Sequence, residues 1–182
     1  MKKVIALASI LLLSITTINA QKINWVTMEE AQELMKKEPR KVIMDVYTTW
    51  CGPCKMLDKN TFGNPDVAKY INENYYAIKF NAEGDASITF DGNTFTNPNY
   101  DPAKKKKRNA QHQFARYLSV RAYPTMVFFD EDFSLIAPIS GYLLPNQIEI
   151  YLKLFKTDKY KTVKSKEDWE KYQKEFKAEF KS

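Results

Sequence analysis

Trp50-Cys51-Gly52-Pro53-Cys54 is the most informative segment of this 182-residue chain, because it holds both cysteines with only two residues between them. It follows the apolar run Lys41–Tyr47, which is typical of a strand buried on both faces, and it opens a predicted helix. A cysteine at a helix N-terminus faces backbone N–H groups that favour its thiolate, the reactive form in disulfide exchange. The spacing therefore predicts a dithiol switch in which Cys51 attacks and Cys54, one turn further and more buried, resolves.

Four further landmarks stand in order along the chain. They are an acid inside the apolar run, a lysine on the next predicted strand, an X-Pro pair before an apolar strand, and a glycine before a later helix. These positions are Asp45, Lys79, Tyr123-Pro124 and Gly141. Together with the dithiol they resemble the thioredoxin family over roughly residues 22–156. The resemblance implies an α/β thioredoxin fold, in which a central mixed β-sheet is flanked by helices.

The same resemblance implies a role for each candidate site residue. Asp45 is expected to be a buried acid with a raised pKa that accepts a proton from Cys54, and Lys79 its charge partner. Pro124 is expected in the cis form against the disulfide, which leaves the backbone of Tyr123 free to pair with a substrate strand. The predicted substrate-binding surface consists of Trp50, Gly52, Pro53, Tyr123 and Pro124.

Other interpretations of the dithiol remain open at this point. A zinc site needs four ligands, and beyond the two thiols only His112 and some carboxylates are available. A purely structural disulfide is a weak alternative, since closing a four-residue loop removes little chain entropy. We therefore predict no metal and no cofactor besides the redox-active Cys51–Cys54 disulfide. His112 is predicted to lie at the surface.

The N-terminus indicates a compartment. Met1-Lys2-Lys3 is basic, residues 4–15 are mostly apolar, and cleavage is expected after Ala20. This pattern predicts a signal peptide over residues 1–20 and a periplasmic or otherwise extracytoplasmic protein, with an uncleaved anchor as the alternative. In an oxidising compartment, a chain with a single cysteine pair has no other disulfide to form, which favours a functional dithiol.

The rest of the chain divides into a domain at 21–156 and a C-terminal helical extension at 157–182. An insertion at about 84–109 precedes the predicted cis-proline loop and contains a hairpin around Asp91-Gly92. The run Lys104–Arg108 is predicted at the start of a helix, either as a solvated segment or as a contact for an acidic partner or anionic lipid. The net charge of +6 does not by itself imply nucleic acid.

These observations predict a thiol–disulfide oxidoreductase that reduces protein disulfides outside the cytoplasm. The Gly-Pro pair between the cysteines matches reducing members of the family that the chain resembles. The expected partners are proteins with disulfides and a membrane or envelope electron donor, with no nucleic acid, and the protein is expected to be a monomer. An oxidase or isomerase with the same site is the alternative. A chaperone that binds clients without turnover and a copper- or zinc-handling protein are alternatives from other classes.

Overall fold

The apolar run before the cysteines forms the central strand of the molecule, which a computed structural model describes over residues 22–181. The strands are β1 (Trp25–Val26), β2 (Lys41–Tyr47), β3 (Tyr75–Asn81), β4 (Ile88–Phe90), β5 (Asn93–Phe95), β6 (Thr125–Phe129) and β7 (Leu135–Ser140). The α-helices are α1 (Met28–Lys37), α2 (Gly52–Met56), α3 (Pro65–Asn74), α4 (Gln113–Tyr117), α5 (Pro145–Lys156) and α6 (Lys166–Glu175). The predicted signal peptide, residues 1–20, lies outside the described residues.

One mixed sheet organises the domain, with the strand order β1-β3-β2-β6-β7. Strands β1 and β2 run parallel to β3, whereas β6 is antiparallel to both β2 and β7. Six of the seven residues of β2 are buried, as its apolar sequence predicts for a strand covered on both faces. The predicted thioredoxin fold, with its mixed sheet between helices, is confirmed.

Side chains that alternate along β2 enter two separate cores. Val42 and Met44 face a core that includes residues of α1 and α4, whereas Ile43 faces a core built with α3 and α5. The helices α1 and α3 both begin at a side-chain cap. Thr27 and Glu30 form a capping box at the start of α1, and Asn64 caps α3. These layers hold the carboxyl ends of β2 and β3 side by side.

The insertion differs in part from its prediction. The hairpin β4–β5 is present, and Asp91 and Gly92 both have positive φ, at 48° and 70°, as a tight hairpin turn requires. The run Lys104–Arg108 does not begin a helix, because α4 starts only at Gln113. The side chain of Asn109 accepts from the Asp101 N–H at 3.0 Å and donates to the Asp101 carbonyl at 2.8 Å, which closes residues 101–109 into a loop.

His112 is fully buried, so the prediction that it lies at the surface is wrong. Its Nδ1 accepts from the Phe114 N–H at 3.0 Å, and its Nε2 lies 2.7 Å from the Ala86 carbonyl, to which it donates. The edge of the ring packs against Phe80, with centroids 5.2 Å apart. Burial lowers the pKa of His112, outweighing the opposite effect of the Ala86 hydrogen bond. His112 therefore connects Ala86 of the insertion to the start of α4 through its two ring nitrogens.

The C-terminal extension packs on the face formed by α3 and α5. Trp169 of α6 stacks on Tyr151 at 5.6 Å, and Phe180 meets Tyr70 at 5.7 Å. Helix α6 ends at Glu175, so the extension predicted at 157–182 is helical only in part and Phe180 lies beyond the helix. No helix within residues 22–181 has both the length and the apolar character needed to cross a membrane.

Candidate active site

Cys51 and Cys54 form a disulfide at the start of α2. Cys51 is the N-cap of that helix, and the backbone N–H of Cys54 points at its Sγ over 3.1 Å. Their exposed fractions are 3% and 2%, so Cys54 is not appreciably more buried than Cys51. Pro53 occupies the first turn of α2, where a backbone N–H would have no partner within the helix, so proline is tolerated there. Gly52 and Pro53 are both exposed. The helix start thus offers a hydrogen-bond donor to Cys51 Sγ whenever the disulfide is open.

Helix α2 is short and continues as a π-helical segment, Leu57–Phe62. Asp58 lies in this π-helical segment and forms an ion pair with Lys79 on β3. Sequence reasoning missed Asp58. Its spacing of four residues from Cys54 was an available signal, because residues four apart share one face of a helix.

Asp45 is an almost completely buried carboxylate on β2, with 1% of its surface exposed. Its Oδ2 lies 3.4 Å from Lys79 Nζ, and its Oδ1 accepts no hydrogen bond from the described part of the chain. Burial raises the pKa of Asp45 to about 7; the Lys79 charge lowers it and the Asp58 charge raises it. A carboxyl with this pKa can take up and release a proton near neutral pH.

Lys79 is held by more than its two carboxylate partners. Its Nζ lies 5.0 Å from the centre of the Trp25 ring and 5.1 Å from that of Tyr47, which places the ammonium between two aromatic faces. A quarter of the side-chain surface is exposed, so Lys79 is half-buried rather than enclosed. The lysine can therefore reach both Asp45 and Asp58 without leaving its position on β3.

The Tyr123–Pro124 peptide bond is cis and leads directly into β6. The Pro124 carbonyl accepts a hydrogen bond from the Gly141 N–H at 2.9 Å, which ties the loop to the end of β7. Gly141 has a φ of +108°, a backbone conformation that residues other than glycine rarely adopt. Across residues 22–181 the backbone N–H and carbonyl of Tyr123 form no hydrogen bond.

Trp50 joins the cis-proline loop to the insertion. Its ring edge meets Tyr123 at a centroid distance of 6.3 Å, and its Nε1–H donates to Glu83 over 2.7 Å. Arg108 of the insertion lies over the indole, with its guanidinium carbon 4.6 Å from the ring centre. Gln111 donates to the Tyr123 hydroxyl at 3.3 Å. Glu83 and Gln111 lack a local sequence signal, because both act through contacts between distant parts of the chain.

A buried dithiol at a helix start, with a raised-pKa acid on the preceding strand and a cis-proline loop in the same sheet, defines a thiol–disulfide oxidoreductase of thioredoxin fold. The family described as "Thioredoxin-like domain" matches residues 28–156, and the chain belongs to that family. In the described residues, no three His, Cys, Asp or Glu side chains cluster as metal ligands would.

Individual relatives agree with this assignment. The chain is 30% identical over 108 residues to the thiol:disulfide interchange protein DsbD of Photorhabdus laumondii, a match that covers 59% of this chain and 14% of that one. It is 26% identical over 123 residues to the DsbD of Pectobacterium atrosepticum, covering 66% and 17%. The chain thus spans less than a fifth of these relatives. The solved structure titled "DsbH Oxidoreductase" shares the fold, with a TM-score of 0.54, 15% identity, and coverage of 80% and 90%.

Proposed function

We propose that the protein reduces disulfides of other proteins outside the cytoplasm, with Cys51 as the nucleophile and Cys54 as the resolving thiol. The observation that carries this proposal is the Cys54 N–H, 3.1 Å from Cys51 Sγ at the first turn of α2. In the reduced protein this donor and the helix dipole stabilise a thiolate on Cys51. Cys54 lies inside the helix and lacks that position.

The exchange proceeds in two balanced steps. The Cys51 thiolate attacks one sulfur of the substrate disulfide, a mixed disulfide forms, and the other substrate sulfur leaves as a thiolate that takes a proton. Cys54 then loses its proton, with Asp45 as the proposed acceptor, and attacks Cys51 Sγ. The second substrate sulfur leaves as a thiolate that takes up a proton, which balances the one that Asp45 removed from Cys54, and two electrons have passed from the protein dithiol to the substrate. A carboxyl with a pKa of about 7 is suited to this acceptor role near neutral pH.

The cis-proline loop is the proposed docking edge for the substrate backbone. An extended substrate segment would pair with the unbonded main chain of Tyr123, next to Pro124, as an added strand does at a sheet edge. The exposed Gly52 and Pro53 and the indole of Trp50 would form the rest of the contact. Lys79 would act through Asp45, by lowering its pKa and holding its orientation.

The direction of transfer and the compartment rest on sequence. The Gly-Pro pair between the cysteines favours reduction, and the basic and apolar pattern of residues 1–20 favours export. A reduced dithiol partner at the membrane or in the envelope would return the electrons. The curated relatives carry the name thiol:disulfide interchange protein, which agrees with transfer between dithiols. We propose that the protein acts as a monomer on protein substrates.

The reduction potential of the Cys51/Cys54 pair tests this proposal. The pair is equilibrated in dithiothreitol or glutathione buffers and the reduced fraction is measured. A potential of about −270 mV makes the protein a reductant, whereas one of about −120 mV makes it a disulfide donor and reverses the proposed direction. Reduction of insulin with dithiothreitol, with Cys51→Ser as the control, separates either activity from binding without turnover. N-terminal sequencing of the protein isolated from its host tests cleavage after Ala20.

A further inference from the structure

The basic run Lys104–Arg108, called here the basic rim, lies against the residues that immediately precede Cys51. Thr49 donates its hydroxyl hydrogen to the Lys105 carbonyl over 2.8 Å. The Arg108 guanidinium covers the Trp50 ring at 4.6 Å. These two contacts connect Lys105 and Arg108 of the rim to Thr49 and Trp50, the two residues that precede the nucleophilic Cys51. The rim therefore borders the active site, although it is more than fifty residues away in sequence.

A third contact fixes the end of the rim. One oxygen of Glu83, Oε2, accepts from the Trp50 indole at 2.7 Å and from the Asn109 backbone N–H at 2.8 Å. The carboxylate links the active-site tryptophan to the residue that follows Arg108. Because Asn109 also closes the loop onto Asp101, the rim is a held segment and not a free tail.

Four of the five cations of the rim have no ion-pair partner among the described residues. All five side chains are exposed. Within residues 22–181 its one ion pair joins Lys104 to Asp101 at 3.3 Å. Two further cations are exposed on neighbouring elements, Lys55 on α2 and Arg121 in the segment leading to the cis-proline. Exposed cations thus lie on the rim, next to Cys54 in sequence, and just before the cis-proline loop, whereas the Glu83 carboxylate is the acid that bonds to Trp50 and Asn109.

We propose that the basic rim selects protein substrates whose disulfide is flanked by an acidic segment. The inference rests on the proposed function, since it names the class of disulfide that the same site prefers. Aspartate and glutamate side chains next to the substrate disulfide would meet Lys105, Lys106 and Lys107 while the disulfide reaches Cys51. Opposite charges around a reactive site raise the rate of productive encounter, and added salt screens the effect.

The test uses three synthetic peptides that contain one identical disulfide loop and differ only in their flanks, which are rich in aspartate and glutamate, in glycine and serine, or in lysine. The reduced protein is mixed with each oxidised peptide, and the second-order rate of exchange is measured by stopped flow. Each rate is divided by that of dithiothreitol with the same peptide, because flanking charge alters the intrinsic reactivity of a disulfide. We expect the acidic peptide to react about tenfold faster than the neutral one at low salt, and this advantage to disappear at about 0.5 M salt.

The triple variant Lys105→Gln/Lys106→Gln/Lys107→Gln removes three exposed charges but keeps the Lys105 carbonyl and Arg108. It is expected to lose most of the preference for the acidic peptide. The matched control, Lys171→Gln/Lys174→Gln/Lys177→Gln, removes the same charge from exposed positions of the C-terminal extension and is expected to keep the preference.

The outcomes separate this inference from the proposed function. If the protein reduces all three peptides at equal corrected rates, or if both triple variants lose the preference alike, the selective role of the rim is wrong and the reductase function stands. If no peptide is reduced, the proposed function itself fails. A rim that binds vesicles containing phosphatidylglycerol, but gives no preference among peptides, would contact a membrane instead and overturn the proposal.

Discussion

Asp45 on β2 and Lys79 on β3 occupy directly paired positions of two parallel strands, and Lys79 Nζ lies 3.4 Å from Asp45 Oδ2. The lysine also pairs with Asp58, so one cation lies between two carboxylates of unequal burial. Asp45 is the buried member and keeps the raised pKa, because burial outweighs the attraction of Lys79. The pKa of the proposed proton acceptor therefore depends on both neighbouring charges.

Lys79→Gln is expected to raise the pKa of Asp45 above about 7, because the variant removes the charge that lowers it. An opposite charge at this distance lowers the pKa of an acid by about 1–3 units, so a rise of about one unit is expected. NMR titration of the Asp45 carboxyl carbon measures the change directly. The rate at which the mixed disulfide is resolved should depend on pH with an apparent pKa that rises by the same amount.

Asp58→Asn is the matched variant, and it should move the pKa of Asp45 downward. The Asp58 charge raises that pKa, and its removal also leaves Lys79 with Asp45 as its one carboxylate partner among the described residues. Shifts in the same direction for both variants would contradict the charge arrangement described here.

Asp45→Asn should make the folded protein more stable at alkaline pH. The unfolded chain loses the Asp45 proton near pH 4 and the folded chain near pH 7, so the free energy of unfolding of the wild type falls across that window. A shift of this size corresponds to roughly 3–4 kcal/mol. The advantage of the variant over the wild type should therefore grow by about that amount between pH 4 and pH 8.

Urea unfolding of the oxidised proteins at the two pH values measures this difference. Asp85→Asn is the control, because Asp85 is exposed and its replacement should leave the pH dependence as in the wild type. A constant difference between Asp45→Asn and the wild type at both pH values would show that Asp45 titrates in the ordinary range.

The strand-and-motif pattern was sufficient to predict the central features of the fold. A continuous apolar run that ends in Cys-x-x-Cys indicates a buried strand followed by a helix, and the structure has β2 and α2 there. The family resemblance predicts a cis Tyr123–Pro124 bond, and the structure has it in that form. These features depend on short stretches of sequence and on their order.

The positions that sequence reasoning misjudged depend on contacts between distant segments. His112 is buried because Ala86, 26 residues earlier, supplies a carbonyl that satisfies its ring nitrogen. The basic rim does not start a helix because Asn109 and Asp101 close a loop around it. No periodicity or propensity encodes such pairings, so the sequence pattern places His112 in solvent and the basic rim at a helix end.

Cys54→Ser is expected to trap the first intermediate of the exchange. The variant keeps Cys51 at the N-cap of α2 but has no thiol to attack the mixed disulfide. Incubation of the reduced variant with oxidised insulin should accumulate a covalent adduct that dithiothreitol releases, seen on non-reducing gels. Cys51→Ser, the control, should form far less adduct. Full catalytic turnover by Cys54→Ser would show that Cys54 is not the resolving thiol.

The C-terminal extension is fastened by a buried acid on α5. Glu149 is fully buried, accepts from the backbone N–H groups of Glu179 and Phe180 at 2.8 Å each, and pairs with Lys153 at 2.7 Å. When the acceptor of a partly buried backbone N–H group is removed, the group is left without a partner and the folded protein is destabilised. Glu149 therefore helps to hold the segment that follows α6 against the domain, together with Asn64 and Asp66, which bond to the backbone of Lys181.

Glu149→Leu is expected to lower the free energy of unfolding by about 2–3 kcal/mol, because two N–H groups lose their acceptor and a buried charge network is broken. Hydrogen exchange followed by NMR should show faster exchange at the amides of Glu179 and Phe180, while amides of β2 keep their protection relative to global unfolding. Glu73→Leu, at an exposed position of α3, is the control and should change stability by less than about 0.5 kcal/mol. Unchanged exchange at those two amides in Glu149→Leu would mean that the other contacts of the extension hold it in place, among them the hydrogen bonds of Lys181 with Asp66 and Asn64 and the aromatic contacts.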